Sequence, residues 1–234
     1  MQGSMISIKV PDGSFAAYYV PTTKPRAPGL VVLQEIYGIN EFMRHACVMF
    51  AEAGYNTLCP DLFWRQEPGV SLSDGSNAEL ERAFALLKGF DADKAVVDIQ
   101  AAIDHLRMMP NCTRRVGAVG YCLGGLLAYL AMCRTNADCA SGYYGSDIEN
   151  RLQEATNIRR PLMLHIAEAD STMTPEAIAQ LKAGLRTHPC VTLHGYDGID
   201  HGFARVNTKY FKYDDKSADL ANQRTFEFFK SNLS

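Results

Sequence analysis

A chain of 234 residues with 47% apolar side chains can bury one α/β core, and its net charge of −3 gives no basic footprint for a nucleic-acid partner. No apolar run reaches bilayer-spanning length, so the expectation is a soluble cytoplasmic protein, monomeric or weakly dimeric, that takes a small-molecule ligand and is not held in a membrane. Seven scattered cysteines without a C-x-x-C pair or a secretory signal suggest reduced thiols, and six histidines without H-x-x-x-H spacing argue against a metal or other cofactor.

Residues 5–10 and 15–20 alternate around Pro11-Asp12-Gly13, which predicts a hairpin at an antiparallel edge. Residues 1–4, Met-Gln-Gly-Ser, read either as native or as an expression scar, ordered or not, and carry no argument. After a proline-rich link over 21–28, the apolar run 30–33 predicts a strand covered on both faces that ends in Gln34-Glu35. Asn40 caps a helix running to Gly54, and residues 55–59 form the next strand, completing a β-α-β unit. A polar, irregular insertion over 62–75 precedes helices at 77–88 and 91–109. The second has Asp91 as N-cap and an apolar stripe from Ala95 to Leu106 that packs on the sheet.

The strand over 116–119 then meets Gly120-Tyr121-Cys122-Leu123-Gly124, a G-x-C-x-G pentapeptide followed by a helical stretch over 126–133. Flanking glycines allow the close approaches that a sharp strand-to-helix turn requires, and a thiol at a helix N-terminus meets the positive end of the helix dipole. Glycine-rich turns also bind phosphate, but Leu126 stands where a P-loop needs lysine, and no G-x-G-x-x-G follows the first strand. A buried structural cysteine is the bland alternative for this stretch taken alone.

Strands at 139–144 and 162–167, a helix at 175–186, a last strand at 191–196 and an amphipathic helix at 217–229 close the chain. The expected fold is therefore α/β, a single domain over 1–234 with a mostly parallel, doubly wound sheet flanked by helices. In such sheets ligands bind beyond the carboxyl ends of the strands, and Glu35, Cys122, Asp170 and His201 each fall just after one. The order nucleophile, acid, histidine is that of the α/β-hydrolases. Asp170 has local rivals in Glu168, Asp197 and Asp200. His165 and His194 fall inside strands and are assigned to the core, whereas His201 lies on a glycine-flanked loop.

Along nearly its whole length the chain resembles the dienelactone hydrolase family. The resemblance is carried by Gln34-Glu35-Ile36-Tyr37-Gly38, Cys59-Pro60-Asp61-Leu62, the pentapeptide with Gly125, Gly142-Tyr143-Tyr144-Gly145, and His201-Gly202-Phe203-Ala204-Arg205. It implies a Cys122, Asp170, His201 triad that opens a carboxylate-bearing enol-lactone, of the dienelactone-to-maleylacetate type, through an acyl-thioester in the breakdown of aromatic compounds. It also implies Glu35 as a proton partner of the resting thiol, and the Leu123 and Ile36 backbone N–H groups as oxyanion hole. Arg205 would clamp the substrate carboxylate, and Tyr37 and Tyr144 would line the pocket.

An ungapped alignment places Leu80, Phe84 and Leu87 where the family has a second arginine and pocket aromatics. Arg82 is the substitute arginine two positions away, roughly 200° around the helix. The alternatives on the same fold are a general carboxylesterase or thioesterase, and a catalytically silent small-molecule binder.

Overall fold

The computed structural model describes residues 1–206 and 208–234. Among them one eight-stranded sheet organises the chain. Its strands are β1 (Ser4–Val10), β2 (Gly13–Val20), β3 (Ala27–Leu33), β4 (Asn56–Pro60), β5 (Cys112–Tyr121), β6 (Ala140–Tyr143), β7 (Leu162–Ala167) and β8 (Val191–Tyr196), in the order β1-β2-β4-β3-β5-β6-β7-β8. β1 and β2 form the expected antiparallel hairpin, β2 pairs antiparallel to β4, and all later pairs are parallel. Ser4, set aside from the sequence argument, pairs with Tyr19 in that hairpin.

Alternation along the central strand explains the layers. Val31 and Leu33 of β3 face one apolar cluster and Leu30 and Val32 the other, because successive side chains of a strand point to opposite faces. The first cluster is closed by α3 (Ala92–Met108), α4 (Leu123–Arg134) and α5 (Pro175–Leu185); the second by α1 (Glu41–Glu52) and α6 (Asp215–Leu233). Short polar side chains start α1, α3, α5 and α6: Asn40, Asp91, Thr174 and Asp214 each accept a backbone N–H of the first turn. The helix α2 (Asn77–Lys88), capped by Ser76, packs less closely and keeps only Ala83 and Leu86 fully buried.

Register brings the strand ends together. Leu33 pairs with Gly120, Tyr121 with Tyr143, and Ala167 with Tyr196, so Glu35, Cys122, Asp170 and His201 all emerge at one edge of the sheet. No helix among the described residues is long and apolar enough to cross a membrane.

Candidate active site

Cys122 stands between β5 and α4 with φ 56° and ψ −116°, a positive-φ backbone conformation that L-residues rarely adopt. The glycines beside it make this turn feasible: a Cβ on Gly120 would collide with the Gly124 carbonyl oxygen, and one on Gly124 with the Leu33 carbonyl oxygen. The Cys122 N–H donates to the Tyr143 carbonyl at 3.0 Å, tying the turn to the end of β6. No side chain caps α4, which leaves its first amides directed at whatever sits by the sulfur. All seven cysteines are free, and Cys122 is one of two that are not fully buried.

His201 arrives from the loop after β8 and Asp170 from the loop after β7. His201 Nδ1 and Asp170 Oδ2 are 2.8 Å apart, with both side chains almost closed to solvent. The other oxygen of Asp170 accepts from the Thr172 N–H at 2.9 Å and the Thr172 hydroxyl at 2.6 Å. Asp200, a rival for the acid position, instead joins the two loops: its Oδ1 accepts from Ser171 N at 2.7 Å and His201 N at 2.6 Å. Glu168 pairs with Lys182, and Asp197 is exposed.

Burial disfavours the charged imidazolium of His201. The Cys122 sulfur beside it and the hydrogen bond to Asp170 outweigh that, and together push His201 up to about 10. The ring is held between Tyr144 and Phe211, at centroid distances of 4.9 and 4.8 Å. His165 and His194 lie in strands as expected. His165 is engaged on both nitrogens, by Tyr196 and Thr225, each at 2.9 Å.

Glu35 and Arg205 are both buried and face each other, with Arg205 Nε 3.2 Å from Glu35 Oε2. Arg205 Nη1 lies 3.3 Å from Asp74 Oδ2, and the guanidinium stacks on Tyr37 at 4.4 Å. These contacts match charge without hydrogen-bond alignment: Nε and Nη1 have no aligned acceptor among the described residues. Burial raises the Glu35 carboxyl, opposed by Arg205 and His201. Asp74 also accepts from the Thr208 hydroxyl and the N–H groups of Lys209 and Tyr210, so it fastens the segment over the site.

These groups open on a cleft of 440 Å³. Its reactive end holds Cys122, His201, Glu35 and Arg205, with Ile36 and Leu123 beside them. One wall is apolar, made by Leu80, Phe84 and Leu87 at i, i+4, i+7 on a single face of α2, followed by Phe90.

Two expected pocket residues are elsewhere. Arg82 does not line the cleft: it projects from the outer side of α2, half exposed, and pairs with Glu67. The two-residue offset on a helix accounts for this. Tyr144 lies behind His201 rather than in the cleft, with its hydroxyl buried and without a partner among the described residues. Tyr37 does line it. Thr172 and Asp74 were not visible as site residues in the sequence, because polar loop residues near a turn look alike until the loops are brought together.

Comparison with known proteins fits this geometry: residues 15–233 match the model of the dienelactone hydrolase family. The chain belongs to that family. It is 39% identical to carboxymethylenebutenolidase 1 of Cupriavidus pinatubonensis, over 92% of this chain and 91% of that protein. It is 36% identical to a carboxymethylenebutenolidase of Pseudomonas putida, over 95% and 94% of the two chains. A solved structure of a dienelactone hydrolase-like promiscuous phosphotriesterase from metagenomic libraries superposes with a TM-score of 0.80 at 15% identity, covering 100% and 99%. That likeness supports the α/β-hydrolase fold.

Proposed function

We propose that this member of the dienelactone hydrolase family is a cysteine-dependent hydrolase of small carboxylate-bearing enol-lactones, acting through an acyl-thioester. The observation that carries the reading is the meeting in one cleft of Cys122, on its strained turn, with His201, which the buried Asp170 holds from behind. The names of the carboxymethylenebutenolidase relatives support a lactone as the substrate.

In the proposed reaction the Cys122 thiolate attacks the lactone carbonyl, and the oxyanion is held by the Leu123 and Ile36 N–H groups. As the ring C–O bond breaks, His201 gives its proton to the departing enolate oxygen. The thioester is then attacked by water, whose proton passes to His201, and the C–S bond breaks to release the acid and the thiolate. Asp170 holds the Nδ1–H and stabilises the imidazolium, and Glu35 is the alternative proton partner of the resting thiol. Arg205, with two buried donors lacking aligned acceptors among the described residues, is suited to the substrate carboxylate. Because Glu35 and Asp74 flank it, it supplies direction more than net charge.

The deciding experiment measures kcat/KM on a dienelactone, neutral aryl esters and acyl thioesters, for the wild-type protein and Cys122→Ala. Preference for the dienelactone with complete loss in the variant is expected. Turnover retained by Cys122→Ala would sink the cysteine mechanism, and preference for neutral esters or thioesters would favour a general esterase or thioesterase.

A further inference from the structure

The cleft contains a second arginine, reached from a different element. A 3₁₀ segment, Glu149–Asn157, follows β6, and Arg151 within it departs from helical geometry at φ −125° and ψ 16°. Its carbonyl accepts from the Tyr129 hydroxyl at 2.8 Å, which anchors the backbone at the kink. Arg151 lines the cleft together with Asp147, which itself has φ 70°, a left-handed conformation uncommon outside glycine. The strained backbone of Asp147 beside the cleft is a reason to look for function there.

The charge around Arg151 is lightly matched. Its Nε donates to Asp147 Oδ2 at 3.1 Å, while Nη1 and Nη2 have no partner among the described residues. The nearby acids Glu154 and Asp93 are both taken by Arg134. Asp147 is 47% exposed and shares its other oxygen with Asn150. Exposed ion pairs of this kind are weak, so a ligand anion can compete for the guanidinium. Arg205, by contrast, is buried between two carboxylates.

The volume and the α2 wall indicate what brings such an anion. At 440 Å³ the cleft falls within the roughly 300–1,000 Å³ typical of sites for drug-sized ligands, and the Leu80, Phe84, Leu87 face offers no hydrogen bond to a small polar lactone. We infer that Arg151 is a specificity-determining residue, binding an anionic group on substrates whose apolar body lies along the α2 wall. This rests on the hydrolase reading of the cleft.

The test compares 4-nitrophenyl hemiglutarate with 4-nitrophenyl butyrate on the wild-type protein, Arg151→Ala and Arg151→Lys, with circular dichroism confirming the fold of each. Arg151→Ala should lower kcat/KM on the hemiglutarate by roughly ten- to a hundredfold, mainly through KM, and change the butyrate by less than about twofold. Arg151→Lys should recover part of the loss, and Asp147→Asn should raise the preference for the hemiglutarate. Equal effects on the two esters, or none, would overturn the inference. If the wild-type protein cleaves neither ester, the dienelactone assay still decides the hydrolase reading, and calorimetry with glutarate on Cys122→Ala decides the inference. Binding lost when Arg151→Ala is added supports it; absent or unaltered binding overturns it.

Discussion

Asp170 Oδ2 lies 2.8 Å from His201 Nδ1, and the opposite oxygen of the same carboxylate is occupied by Thr172. With both oxygens engaged, the acid has one orientation available, and the imidazole is held with its other nitrogen toward the cleft.

Asp170→Asn is therefore expected to keep the fold and to lower kcat by roughly two to four orders of magnitude, since an amide cannot stabilise the imidazolium. Steady-state kinetics on any ester that the wild type accepts checks this; a loss under tenfold would remove Asp170 from the triad.

The elevated His201 also makes a prediction about stability. A base raised in the folded state from its ordinary 6.5 to about 10 adds stability that is fully present below pH 6.5 and disappears as the pH rises through 10. The difference in unfolding free energy between the wild type and His201→Gln should shrink across that window. A difference that stays flat from pH 6.5 to 10 contradicts the proposed charge pairing.

At position 122 the usual ranking of alanine above glycine should reverse. With φ at 56° and ψ at −116°, a Cβ is strained, and glycine relieves on the order of 1 kcal/mol of that strain. Urea denaturation of Cys122→Gly and Cys122→Ala measures the difference directly, and a more stable alanine variant would show that the turn is relaxed.

Removing Arg205 leaves Glu35 and Asp74 without their shared cation. Arg205→Ala should destabilise the fold by about 3–5 kcal/mol and lower kcat/KM on a carboxylate-bearing lactone roughly ten- to a hundredfold more than on a neutral ester. If both substrates lose equally, Arg205 is structural alone.

Arg82→Ala should leave every kinetic constant within about twofold and cost less than about 1 kcal/mol, because its partnership with Glu67 is a surface contact. A selective loss on anionic substrates would place Arg82 back in the cleft.

Much of the scaffold was legible because period and capping agree. The helix α2 and the strands β7 and β8 fall where the apolar pattern and turn residues set them, and Asn40 and Asp91 cap as their chemistry suggests. The glycine spacing around Cys122 also carried its meaning in sequence, since close backbone approach excludes other residues. What stayed hidden were contacts between loops far apart in the chain. Nothing local distinguishes Asp74 or Thr172 from ordinary turn residues, or Arg151 from a surface arginine in a polar helix. Tyr144 was misplaced because period alone cannot tell which side of a histidine an aromatic ring at a strand end will occupy.

Asp74 bonds to residues 208–210 and sits against Arg205, so the stretch before α2 and the stretch after β8 share one fastening across a sequence distance of 134 residues. For anyone grafting specificity between relatives, this means that the two stretches form one exchangeable part. A chimera that imports only one would bring a carboxylate without its amides, or amides without their carboxylate, and would lose the roof before its new side chains met a substrate.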